Sequence, residues 1–220
     1  KEPEMLKMLS EIFENCHSHA SRLASLADSA NHAAEQMAFL SATFSERSTG
    51  YSLQMEPCFM PVLTKETLQK YVRKDLPGRE IFLVQLQDYT RQLAKQKMIY
   101  ICSMEGILRF LQNGRIPEIP DGLYEIPSVS DRIQIVKALL APERATRLRI
   151  LKNSIGNTET PVYLYITPKT GTLRLPLATD QMVNLQIQET GMLEAFYDFC
   201  ENLDEEMFYS FEEAEQIVEE

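Results

Sequence analysis

Between Glu4 and Thr49 the apolar and small residues recur at gaps that alternate four and three: Met5, Leu9, Ile12, Cys16, His19, Leu23, Leu26, Ala30, Ala33, Met37, Leu40 and Phe44. No glycine or proline interrupts the run. This is the a/d spacing that keeps one stripe of a helix facing a partner over about six heptads. At 1.5 Å rise per residue it predicts a coiled-coil-like helix about 60 Å long. Leu9, Ile12, Cys16, His19, Leu23, Leu26 and Met37 are the expected homodimer interface, with an intramolecular hairpin as the alternative. A hairpin would break near Asp28–Asn31, where capping residues cluster in an alanine- and serine-rich stretch. The predicted division is residues 1–49 as a dimerisation and linker helix and residues 50–220 as an α/β effector (sensor) domain.

After Gly50 the pattern becomes mixed. Tyr51–Leu63 is β-prone but carries Pro57 and Pro61, which predicts an edge strand or an extended connector. Thr64 caps a short helix, and Leu76-Pro77-Gly78 is a stop. Phe82, Leu86, Tyr89 and Leu93 mark a helical stripe, and Met98–Cys102 is an apolar run of buried-strand length. Ser103 caps a helix that Asn113-Gly114 terminates, and Ser128 or Ser130 opens another. From Arg147 onward the period becomes two. Residues 147–151, 162–167, 172–177 and 183–188 alternate, which predicts four strands of one sheet. Leu148, Ile150, Leu164, Ile166, Leu173, Leu175, Leu185 and Ile187 would form its apolar face. Two helices follow, the second behind a Ser210-x-x-Glu213 capping box, and both would cover that face. The predicted fold is therefore α+β: a long N-terminal helix, a mixed helical middle, and a C-terminal, mostly antiparallel sheet with helices on one face.

The net charge of −10 is unevenly placed. Of 32 acidic residues 13 follow Arg174, the last basic residue, which leaves 19 beside all 22 basic ones. An acidic C-terminal region repels phosphate backbones, so these residues are not expected to bind nucleic acid by themselves. At 44% apolar and 25% charged the composition is that of a globular protein, and no apolar stretch approaches the roughly 20 residues of a membrane span. The four cysteines are scattered, without a disulfide or metal-binding spacing, and no secretory leader pattern opens the chain. A cytoplasmic protein is the expectation. The chain opens on Lys1 inside the predicted helix, so an upstream segment is expected too.

No phosphate loop, dinucleotide fingerprint, zinc-protease or serine-hydrolase motif is present, and there are eight glycines to build a phosphate cradle. All three histidines fall on the first helix, out of reach of a triad with Cys102 or Cys200. Cys16 and His19 share a helix face, and a dimer could pair them into a four-ligand site; register-fixing on the seam is the plainer role. No metal or cofactor is expected. The polar face of the C-terminal strands is the better candidate. Arg147, Arg149 and Arg174 offer anion-binding forks, Tyr163 and Tyr165 offer stacking surfaces, and Gln186 offers hydrogen bonds. Together they predict a site for a small anionic or polyhydroxylated effector.

The succession of a strand, Ile187-Gln-Glu189, Met192-Leu-Glu-Ala-Phe-Tyr-Asp-Phe199 and Tyr209-Ser-Phe-Glu-Glu213 resembles the C-terminal effector region of bacterial helix-turn-helix transcription regulators. Ile116-Pro117, Asp121-Gly-Leu-Tyr124 and Asp131-Arg-Ile-Gln-Ile-Val136 before Arg147-Leu-Arg-Ile-Leu151 are similar to the same region. The resemblance implies a non-catalytic, signal-sensing and dimerising region, with DNA contacted only through a separate N-terminal domain. It also implies a long helix that holds two such DNA readers apart. Two other readings stand beside it: a small hydrolase or transferase using carboxylates with Arg144, Arg147 and Arg149 in a cleft, and an acidic coiled-coil adaptor.

Overall fold

The computed structural model describes residues 25–38, 49–155, 163–176 and 182–219. Helix α1 covers residues 25–38 without a break at Asp28–Asn31. Then come β1 (Gly50–Gln54), α2 (Lys65–Tyr71), α3 (Arg79–Lys95), β2 (Met98–Ser103), α4 (Met104–Asn113) and α5 (Val129–Leu139). The last part holds β3 (Leu148–Leu151), β4 (Tyr163–Ile166), β5 (Gly171–Pro176), β6 (Met182–Ile187), α6 (Thr190–Glu201), β7 (Phe208–Tyr209) and α7 (Phe211–Glu219).

Local chemistry sets most of the boundaries. The hydroxyls of Thr64, Ser103 and Ser128 accept the backbone N–H of Thr67, Gly106 and Asp131 at the starts of α2, α4 and α5. Gly114 ends α4 at φ 70°, the left-handed region that lets its N–H reach Phe110 O. At α7 the predicted capping box forms: Glu213 N–H donates to Ser210 Oγ at 3.1 Å, and Ser210 N–H to Glu213 Oε2 at 2.8 Å.

The sheet corrects the predicted architecture. A separate, mostly antiparallel C-terminal sheet with helices on one face does not form. Instead one mixed sheet runs in the order β6-β5-β4-β1-β2-β3-β7, with β1, β2 and β3 parallel and the remaining pairs antiparallel. Tyr51–Gln54, expected at an edge, is a central strand between β4 and β2. Pro57 and Pro61 do not prevent this because the strand ends before either is reached. Crossover helices between parallel strands must lie on the sheet's faces, so a parallel core forces cover that an antiparallel sheet can do without.

Both faces are accordingly buried. One face carries Met98, Tyr100, Cys102, Leu148, Ile150, Tyr163 and Tyr165 under α1, α3, α4, α5 and α7. The other carries Tyr51, Ile101, Leu151, Leu164, Ile166 and Ile187 under Leu193, Phe196 and Cys200 of α6. Two further expectations change with this. The terminal helices lie on opposite faces, since Ala214 and Val218 of α7 join the first core, where Lys137 Nζ and Glu219 Oε1 pair at 2.9 Å. Leu148 and Ile150 of β3 face the same side as Tyr163 and Tyr165 instead of the side of Leu164 and Ile166. Ala30, Ala33 and Met37, the described end of the heptad seam, are buried in the core of their own chain, with Leu26 packed against them. Leu9, Ile12, Cys16, His19 and Leu23 lie outside the described residues. Among the described residues, no helix is long and apolar enough to cross a membrane.

Candidate functional site: a polar layer beneath the first helix and a cleft beside it

The face shared by β1, β4, β5 and β6 under the helices is polar in two transverse rows. Register places Tyr100, Ser52, Tyr165, Thr172 and Gln186 side by side across β2, β1, β4, β5 and β6. Two residues along, Gln54, Tyr163, Arg174 and Asn184 form the second row. Ser52, Gln54, Thr172 and Arg174 are all buried, as are Tyr163 and Tyr165. The layer reaches solvent at β6, where Gln186 is exposed, and at its other end Tyr100 is half-buried.

Two carboxyls enter from loops. Glu118, in the irregular segment after α4, accepts Gln54 Nε2 at 3.4 Å, and the Tyr165 hydroxyl donates to Gln54 Oε1 at 3.1 Å. Glu56, just after β1, accepts the Tyr163 hydroxyl at 2.8 Å and lies 3.7 Å from Arg109. Arg174 Nε donates to Asn184 Oδ1 at 3.1 Å, and Asn184 Nδ2 donates to Gln36 Oε1 of α1. A continuous chain of hydrogen bonds thus ties the buried guanidinium to the first helix. The layer is nonetheless incompletely paired. Glu118 Oε2 and the hydroxyls of Ser52, Thr172 and Tyr100 are buried without a hydrogen-bond partner among the described residues. Buried polar groups in this state are costly and call for water or a ligand.

Electrostatics follows from burial. The Glu118 carboxyl is pushed above its usual range by burial, against the pull of Arg174 and of its own hydrogen bonds. Burial and then Glu118 push the Cys58 thiol up, so it stays protonated. Tyr89, Tyr100, Tyr163 and Tyr165 are all raised, chiefly by burial. Arg174 stays charged, because Tyr165, Tyr89 and Glu118 outweigh its desolvation. Cys102, with burial alone acting on it, is pushed up to about 12. A thiol held protonated is a poor nucleophile. The sole described histidine, His32, is exposed on α1. The arrangement offers one fixed cation, one reluctant carboxyl and several hydroxyls, a set suited to binding.

Cys58 and Tyr100 also form the floor of a neighbouring cleft of about 360 Å³. Leu93 and Ala94 at the end of α3, Leu139, Leu148 and Pro61 supply apolar walls, and Glu143, Arg144, Thr146 and Arg147 the rim. Tyr100 is thus shared by the cleft lining and the first polar row.

Of the six residues expected to share a ligand, four come together in the polar layer and two, Arg147 and Arg149, do not. Tyr163, Tyr165 and Arg174 lie in the layer, with Gln186 at its wet edge. Arg147 is on the cleft rim, where Nη1 is 3.4 Å from the carbonyl oxygens of Ala94 and Gln96. Arg149 projects to the other face, pairs with Glu205 at 2.6 Å and stacks over Phe208 at 3.9 Å. Sequence reasoning missed Glu118, Gln54, Ser52 and Cys58 as neighbours, while Arg144 and Arg147, named together for a cleft, do share one. The one available signal was Ser52 and Gln54 alternating with Tyr51 and Leu53. No three described His, Cys, Asp or Glu side chains converge as metal ligands. Comparison with family models, with curated proteins and with solved structures returned no match.

Proposed function

We propose that this chain is the signal-sensing region of a cytoplasmic transcription regulator, non-catalytic, with a small-molecule effector bound at the cleft and the polar layer. The observation that carries the reading is the position of α1. Ala30, Ala33 and Met37 roof a layer whose hydrogen bonds are incomplete, and Gln36, Asn184 and Arg174 link that helix to the layer's fixed charge. A ligand that completes those bonds changes what α1 packs on, and small residues such as alanine allow a helix to shift at little steric cost. The heptad seam N-terminal to residue 25 then carries the change to a dimer partner, and DNA is reached only through a domain beyond that seam.

The test uses the full chain. Small molecules retained by the purified protein are released by denaturation and identified by mass spectrometry, and amide exchange over residues 25–38 is compared before and after a metabolite extract is added. A retained or added compound that slows exchange in α1 supports the reading. Unchanged exchange with every fraction of the extract overturns it. Sedimentation at micromolar concentration tests the homodimer, and a strict monomer removes that part of the proposal.

A further inference from the structure

Arg144 and Arg147 stand three residues apart on the turn before β3, and each is held by main-chain carbonyls. Arg144 Nη2 donates to Pro61 O at 2.9 Å, and Arg147 makes the two longer contacts to the end of α3. Carbonyls fix the guanidiniums in place and leave their charge intact. Neither has a carboxylate partner among the described residues, and Glu143, the carboxylate on the same rim, pairs with neither. Two guanidiniums against the single carboxylate of Glu143 leave the mouth of the cleft net positive, an anion site in waiting. Below them the walls are apolar: Leu93, Leu139 and Leu148. Cys58 and the half-buried Tyr100 complete the lining, and the Tyr100 hydroxyl itself is buried.

Charge at the mouth and hydrocarbon along the walls read as the negative of a single molecule. We infer that the cleft takes a small organic acid whose carboxylate sits between Arg144 and Arg147 and whose apolar body lies against the leucines. At about 360 Å³, near the lower bound for ligand pockets, the occupant has on the order of ten non-hydrogen atoms. This rests on the sensor reading above and gives its effector a class. It also gives the signal a route, since Tyr100 lines the cleft and pairs in register with Ser52 of the first polar row.

The experiment titrates the full chain with 4-hydroxybenzoate, hexanoate, inorganic phosphate and the neutral 4-hydroxybenzyl alcohol, reading binding by calorimetry and by thermal shift. Both carboxylates are expected to bind, and the alcohol at least tenfold more weakly. R144Q/R147Q, whose amides still donate to the carbonyls, is expected to keep the unliganded melting temperature within a few degrees and to lose at least tenfold in carboxylate affinity. R144K/R147K restores most of it. Equal binding of the neutral alcohol, or carboxylate binding unaffected by R144Q/R147Q, overturns the organic-acid assignment. Phosphate binding without the carboxylates overturns it too, as it reduces the rim to a general anion patch. Should the acids fail while an extracted compound of another class slows exchange in α1, the assignment falls and the sensor reading stands. If no compound affects α1, both fall.

Discussion

Replacing Arg174 by methionine removes the one fixed cation of the polar layer while keeping its apolar stem. Arg174 is 6% exposed and its Nε–H donates to Asn184 Oδ1, so the variant first loses a charge-assisted hydrogen bond, a net of about 1.5–3 kcal/mol. It also loses the cation that holds the Glu118 carboxyl down. Stranding a buried charge without its counter-charge costs about 3–5 kcal/mol in total, unless the carboxyl takes up a proton. Glu118 has that escape at low pH. Because its folded pKa lies above the unfolded one, the native state binds more protons between the two values. Stability therefore falls as pH rises from the ordinary carboxylate range through the raised folded value. Arg174→Met raises the folded value further and steepens that fall. The expected loss is about 3–5 kcal/mol at pH 8 and about 2 kcal/mol at pH 5. At roughly 2–4 °C per kcal/mol for a chain of this size, the melting temperature drops by about 10 °C at pH 8 and by half that at pH 5. Urea unfolding of wild type, Arg174→Met, Glu118→Gln and the double variant at pH 5, 6, 7 and 8 measures it. Glu118→Gln should flatten the pH dependence, and the double variant should recover at least about 1 kcal/mol relative to additivity at pH 8. An equal loss at pH 5 and pH 8, or strict additivity, refutes the coupling.

Other substitutions separate further elements of the fold. A Cβ at Gly106 would stand 2.1 Å from Met55 O, the acceptor of both Ser103 N–H and Ser103 Oγ. Gly106→Ala is therefore expected to cost about 2–4 kcal/mol by overpacking and loss of those bonds. Gly78, at φ 70° with open space around its Cβ position, should lose only about 1 kcal/mol on the same change; comparable midpoints in denaturant would contradict this contrast. Ala33→Leu overfills the contact of α1 with the core and should cost about 1–3 kcal/mol, read as faster amide exchange over residues 25–38. Ser210→Ala removes the α7 cap, for about 1 kcal/mol, with exchange rising in α7 and staying flat in α6. Cys58, protonated and enclosed, should resist iodoacetamide at pH 8 in the native state and react on unfolding, as peptide mapping will report; rapid native labelling would show the thiol to be accessible.

The sequence by itself determined what is settled within a few residues. Thr64, Ser103, Ser128 and Ser210 start helices because a hydroxyl two or three residues from an unpaired N–H needs no other part of the chain. Gly114 stops one because only glycine takes its φ without strain. The uninterrupted apolar run Met98–Cys102 had to be a strand buried on both sides, and β2 is one. Which strands are neighbours, and which face each side chain meets, came from tertiary structure alone. Alternation sorts the residues of a strand into two sets without saying which set faces which layer, and register is chosen by pairing over long separations. Hence Leu148 and Ile150 lie beside Tyr163 and Tyr165, Arg149 goes to the opposite face from Arg174, and α7 packs on the opposite side from α6. The polar face expected to carry the effector site became a buried layer for the same reason. Two parallel crossovers and α1 had to be placed somewhere, and the side they cover carries Ser52, Gln54, Thr172 and Arg174. Glu118 meets that layer only because the irregular segment after α4 folds back over it, a contact across 64 residues from Gln54 that no local pattern records.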